Sequence, residues 1–118
     1  MTGSRPSIED LVARRTIDLT TVGRRSGQPS RIEIWWFHVD NRFVITGTPR
    51  RRDWYANVLT NPEVIIHIDG WDLPATAHPV RDPILRAAVF DAPSTRWYSS
   101  QAQRQRLIDD APMIEIVI

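Results

Sequence analysis

Asp69-Gly70 separates two runs of alternating apolar residues, and this arrangement constrains the chain more than any other feature. Aspartate followed by glycine tolerates the positive backbone angles of a two-residue hairpin turn, so the flanking runs must pair antiparallel. Before the turn, Val64, Ile66 and Ile68 share one face of a strand, Glu63–Ile68. After it, Leu73, Ala75 and Ala77 share one face of residues 71–80. Pro74 and Pro79 cannot donate to a ladder, which confines the second strand to an edge or to bulges. Asp40-Asn41 is a second tight turn, joining residues 30–39 to Arg42–Thr46.

The remaining pattern extends this antiparallel frame. Thr16–Val22 is rich in β-branched residues and reads as a strand. In residues 30–39, Ile32, Ile34 and Trp36 alternate with Glu33, Trp35 and Phe37, so both faces carry bulk beyond Glu33. Such a strand lies between two layers or turns one face to a ligand. Residues 113–118 close the chain as a sixth strand. Helices are short. Ser7 caps one over residues 7–15, with Asp10 in the capping-box position and Arg14 and Arg15 at its C-terminal end. Asp53 is placed to cap another over residues 54–59, ended by Asn61-Pro62. Asp82-Pro83 opens a third, with Ile84, Leu85, Ala88 and Val89 as its apolar stripe. Residues 95–99 form a loop or broken helix, and residues 100–108 a polar helix. The expectation is a mainly β fold with short helices, a six-stranded, mostly antiparallel barrel. Residues 1–118 form a single domain in this reading, residues 1–15 being a short helix or flexible arm.

Several functions are disfavoured. Without cysteine there is no disulfide or thiolate metal site. His38, His67 and His78 fall in three separate strand regions, without the close pairing of a zinc motif, so no metal is expected. Ser26 in GRRSG lacks the spacing of a nucleophile elbow. No signal-peptide core and no membrane span is visible, which makes the cytoplasm the default location. All 15 basic residues are arginine, yet the net charge is only +1. That balance argues against a nucleic-acid partner, which calls for a strong positive excess.

The arginines instead form two clusters suited to an anion. Arg24, Arg25 and Arg31 gather at one turn, where Gly23 and Gly27 would let backbone amides approach a ligand. Arg50, Arg51 and Arg52 follow the Gly47-Thr48-Pro49 turn and precede a helix N-terminus. Guanidinium groups match phosphate geometry. Trp35, Trp36, Trp54 and Tyr55 lie close by in sequence and could flank a flat ring, although each alone is an ordinary core residue.

These residues carry a family resemblance. LTTVGRRSGQPS is similar to the L-T-T-x-G-R-[KR]-[ST]-G-x-P-R signature of the deazaflavin-dependent nitroreductase and quinone reductase family. GTPRRRDWYANVLTNPEVIIHI resembles that family's W-Y-x-N-L-x-x-N-P-x-V block, and the two stand in the expected order. The resemblance implies a split β-barrel of the pyridoxamine-phosphate-oxidase and FMN-binding kind, usually a homodimer. It implies coenzyme F-420 and a reductase activity on a flat electron-poor small molecule such as a quinone or nitroaromatic. By position it assigns Arg24, Arg25, Ser26 and Gly27 to the phosphate loop, and Trp54, Tyr55 and Asn57 to the helix that borders the coenzyme. Arg31 stands one place beyond the family's next basic position, which Ser30 occupies here. Thr48 and Arg50 to Arg52 replace a longer glycine-rich loop, so any phosphate contact there uses side chains more than backbone. Tyr98, beside Trp97 in the region where members differ, is the candidate catalytic donor to a substrate oxygen. Within the same fold, FMN is the alternative cofactor, and a non-catalytic carrier of flavin or tetrapyrrole is the alternative function.

Overall fold

The computed structural model describes residues 4–118, so residues 1–3 of the expected N-terminal arm lie outside it. The elements run α1 (Ile8–Ala13), β1 (Thr16–Val22), β2 (Pro29–Trp35), β3 (Phe37–Val39), β4 (Arg42–Thr46), α2 (Asp53–Thr60), β5 (Glu63–Ile68) and β6 (Trp71–Pro79). They continue with α3 (Pro83–Asp91), a 3₁₀ segment (Pro93–Ser100), α4 (Arg104–Asp110) and β7 (Met113–Val117). The strands form one curled sheet in the order β2-β1-β5-β6-β7-β4-β3, with every neighbouring pair antiparallel. This is the split barrel that the motifs imply.

Both hairpin turns take the expected form. Asp40 and Asn41 have φ of 51° and 61°, and Asp69 and Gly70 have 51° and 80°. Ser7 and Asp10 complete the capping box of α1, but Arg14 and Arg15 fall just beyond the helix. The sheet has seven strands where six were expected, because the long run breaks at Trp36. Its backbone N–H donates to Arg15 O at 3.0 Å and its indole to Arg14 O at 2.9 Å. Pulled inward by these two bonds and by stacking on Phe43, Trp36 leaves the strand line. The prolines of β6 also need a correction. β6 lies inside the sheet, yet β7 pairs only with Thr76 to Pro79, and β5 only with Trp71 to Thr76. Each proline therefore sits where one flank is unpaired, which spares the missing donor.

Alternation divides the apolar residues between two cores. Ile17, Leu19, Ile66, Ile45 and Ile114 point into the barrel, where Trp54 and Val58 of α2 join them. On the other face of β3, β4 and β7, Phe37, Val44 and Met113 pack under α3, the 3₁₀ segment and α4. Ile84, expected in the apolar stripe of α3, is 79% exposed, while Arg86 takes a buried place.

Candidate functional site

The site is built where the β1–β2 turn meets α2. Gly27, at φ 69°, closes the turn. The glycine amides do not face outward as expected: Gly23 donates to Gln28 O at 2.8 Å and Gly27 to Gly23 O at 2.9 Å. A Cβ on Gly23 would run into the Ser26 hydroxyl, which itself accepts from the Gln28 amide at 3.1 Å. The turn is thus a rigid platform, and its side chains carry any contact with an anion.

Asn57 locks that platform to α2. It is buried, and its carbonyl oxygen accepts from both the backbone amide of Arg24 (3.1 Å) and the guanidinium of Arg24 (2.9 Å). Its amide donates to Thr21 Oγ1 at 3.1 Å. Arg24 also reaches Asp53 at 3.2 Å. This corrects the expected cap: Asp53 is the first helical residue, Arg52 takes the N-cap position, and no side chain caps α2. Arg25 projects into solvent with no ion pair among the described residues.

The second cluster lines a cavity of its own, and Arg24, Arg25 and Arg31 are not among its lining residues. Arg50, Arg51, Arg52, Trp54, Ser30 and Asn57 line a cavity of about 320 Å³ between β1, β2 and α2. Arg52 donates through Nη2 to the Thr48 carbonyl and hydroxyl, both at 3.2 Å. Gly47 makes room for that arm, since a Cβ there would stand 2.8 Å from Nη2. Burial, then the neighbouring charge of Arg50, lowers the pKa of Arg52. Its Nε is buried and has no partner among the described residues. An unmet guanidinium donor beside a cavity rimmed by two further arginines fits a phosphate. Tyr55, edge-on to Trp54 at 6.1 Å, lines a second cavity of about 430 Å³ on the other side of the same arginines.

Two candidates lie elsewhere. Arg31 is on the opposite face of β2, paired with Asp18 at 2.8 Å, because one step along a strand reverses the side chain. Tyr98 is buried in the second core, and its hydroxyl donates to Thr46 O at 3.2 Å rather than into a cavity. Burial pushes its pKa up to about 12, so it stays protonated near neutral pH.

A larger cavity, about 630 Å³, had no counterpart in the sequence reading, although two of its residues were candidate ring partners. Trp35, Trp36, Phe37 and Trp97 give it an aromatic wall, and Arg15 and His38 add polar groups. Trp35 and Trp97, tilted at 57° with centroids 6.1 Å apart, are both half-exposed. Their association across 62 residues could only come from tertiary structure.

A split barrel with an arginine-lined cavity and a larger aromatic one defines a protein of the flavin-binding barrel class. The family model for F-420H(2)-dependent quinone reductase matches residues 8–117, and the chain belongs to that family. It is accordingly an oxidoreductase dependent on F-420. Its fold is similar to that of an F-420-H(2)-dependent reductase, FDR-A (19% identity, TM-score 0.64, covering 87% of this chain and 94% of that one). A Listeria innocua protein assigned as a pyridoxamine 5′-phosphate oxidase gives 15% identity and TM-score 0.66, covering 88% and 83%. HutZ, a haem storage protein of Vibrio cholerae, gives 19% and 0.63, covering 89% and 82%. Comparison with curated proteins gives no match. Among the described residues, no helix is long and apolar enough to cross a membrane.

Proposed function

We propose that the protein reduces a flat, electron-poor molecule, a quinone or nitroaromatic, at the expense of reduced F-420. The observation that carries this is the unpartnered, buried Nε of Arg52 at a cavity shared with Arg50 and Arg51. When bound, the coenzyme supplies the hydride. Arg25, Arg50, Arg51 and Arg52 hold its phosphate, while Arg24 and Asn57 keep the β1–β2 platform in place. Trp54 closes the floor of the phosphate cavity. Trp35, Trp36 and Trp97 hold the flat rings and exclude water from them.

The decisive comparison is equilibrium binding of F-420 and of FMN to the same apo protein, followed by turnover with menadione. F-420 binds more tightly in this reading, and reduced F-420 alone supports turnover. Arg25→Ala weakens F-420 binding about tenfold or more, the effect of one charge-assisted hydrogen bond, and leaves the melting temperature of the apo protein unchanged. Tighter FMN binding with FMN-driven turnover makes this a flavin enzyme. Stoichiometric binding without turnover makes it a carrier.

The active species is a cytoplasmic homodimer with the aromatic cavity near the subunit interface. Half-exposed Trp35, Trp97 and Val12 at one cavity support this, since a small domain seldom leaves such a group to water. Light scattering at micromolar concentration with coenzyme present should give twice the chain mass. A monomer there removes the dimer from the proposal.

A further inference from the structure

Two-electron reduction of a quinone consumes a proton as well as a hydride. Tyr98 does not supply that proton: its hydroxyl is buried and donates to Thr46 O at 3.2 Å. The aromatic cavity offers four polar side chains, Arg14, Arg15, His38 and Ser94. Arg14 is paired with Asp69. Arginine and serine hold their protons too tightly to release them near neutral pH, whereas imidazole exchanges its proton in that range. Of the residues lining this cavity, His38 alone has the chemistry of a general acid.

The fold leaves its ring available. β3 is an edge strand of the sheet and pairs only with β4. Phe37 and His38 point to opposite faces, yet both line the cavity, which therefore runs along the free flank of β3. The His38 ring rests on Phe43 of β4, with centroids 5.0 Å apart. It is half-buried and makes no hydrogen bond among the described residues. His67 differs, since Thr20 and Asp72 hold its two ring nitrogens at 2.6 Å each. The charged groups lining the cavity with His38 are Arg14 and Arg15, from the link between α1 and β1. The 3₁₀ segment brings Pro93, Ser94 and Trp97, and β4 brings Phe43, none of which titrates near neutral pH.

We infer that His38 is a catalytic residue, which hydrogen-bonds a quinone oxygen in the aromatic cavity and protonates it during reduction. The inference rests on the F-420 reading of the site. The quinone gains one new bond to the hydride that the reduced coenzyme supplies. The electron pair this displaces settles on a carbonyl oxygen, and that oxygen bonds the proton leaving the His38 imidazolium. The products are the hydroquinone, the oxidised coenzyme and a neutral imidazole, which regains its proton from water at the cavity mouth. Arg15, at the same cavity, steadies the negative charge that develops on the oxygen.

Two measurements test this. The first is menadione binding to the intact apo protein, read by quenching of tryptophan fluorescence, since Trp35, Trp36 and Trp97 line the cavity. His38→Ala should bind roughly two- to tenfold more weakly, the loss of one hydrogen bond. His38→Gln, whose amide still donates, should bind like the parent. The second is turnover of menadione with reduced F-420 across the range in which imidazole titrates. Parent turnover should fall as the pH rises and the imidazolium is lost. His38→Gln should be about a hundredfold slower and lose that decline, because an amide donates a hydrogen bond but no proton. Parent-like turnover or a parent-like pH profile in His38→Gln overturns the proton transfer. Unchanged menadione affinity in His38→Ala overturns the contact. Where the glutamine variant melts well below the parent, His38→Asn takes its place. If the parent binds menadione through His38 yet shows no turnover with reduced F-420, the F-420 reading fails and takes the proton transfer with it, while the contact with the quinone stands.

Discussion

Arg86→Ala should lower the stability of the protein by roughly 3–5 kcal/mol, the range found when one partner of a buried charged interaction is removed. Arg86 is 8% exposed. Its guanidinium donates to Ile108 O at 2.5 Å, Ala111 O at 2.6 Å and Val80 O at 2.8 Å. Those carbonyls belong to the last turn of α4, its C-cap and the residue that follows β6, so one side chain ties the ends of α4 and β6 to α3. Removing it leaves three buried acceptors without donors, each costing its own desolvation. Burial lowers the pKa of Arg86, against the opposing charges of Tyr55, Asp109 and Asp110. Arg86→Lys should recover little, because a single ammonium cannot reach in three directions as the planar fork does. Thermal unfolding should shift downward by about 10–20 °C for the alanine variant. A denaturation midpoint within a degree or two of the parent would show that the guanidinium does not clamp the lobe.

Asn57→Ala should damage stability and coenzyme binding together. Three hydrogen bonds pass through the Asn57 amide, and its loss leaves Arg24 and Thr21 with unmet polar groups at a buried junction. A loss of roughly 2–4 kcal/mol is expected for that combination. The β1–β2 turn then comes free of α2, and F-420 affinity should fall about a hundredfold, more than for Arg25→Ala, because the platform itself is disordered. Asn57→Asp separates the two effects. It keeps the acceptor for Arg24 but loses the donor to Thr21, so binding should survive better than stability. Urea denaturation and coenzyme titration on both variants check this. Normal affinity in a destabilised Asn57→Ala protein would show that the turn holds its shape unaided.

What the sequence made legible was mostly local. Strands β1, β4 and β5 match their expected limits, because alternation and two-residue turns are decided within a few residues. The Ser7–Asp10 box and the Asp82 cap, which accepts from Ile84 N at 2.9 Å, are local for the same reason. Misreadings arose where a distant partner competed with a nearby one. Asp53 has the chemistry of a cap, but Arg24, 29 positions away, takes its carboxylate. Trp36 fits a strand by periodicity, but the carbonyls of Arg14 and Arg15 draw it out of line. Arg31 is close to Arg24 in sequence and on the wrong face in space. The arginine triplet was visible as a cluster, but not that it separates two cavities, since α4 and the end of β6 come from the far end of the chain. The buried role of Arg86 left no signal beyond a polar residue in an amphipathic helix, and Asn57 was marked by the family motif as bordering the coenzyme, not as the lock between α2 and the β1–β2 turn.

The position of β7 in the sheet also governs how the protein can be made. This last strand lies between β6 and β4, so every pairing on both of its flanks waits until residues 113–117 have emerged from the ribosome. Until then the nascent chain exposes two bare strand edges, at Phe43 to Thr46 and at Thr76 to Pro79, together with the apolar faces that Ile114 and Ile116 later cover. Such edges pair readily with those of neighbouring chains. Both edges therefore stay open until β7 is available, and a chain truncated before residue 113 would be prone to aggregate rather than a slightly weakened enzyme.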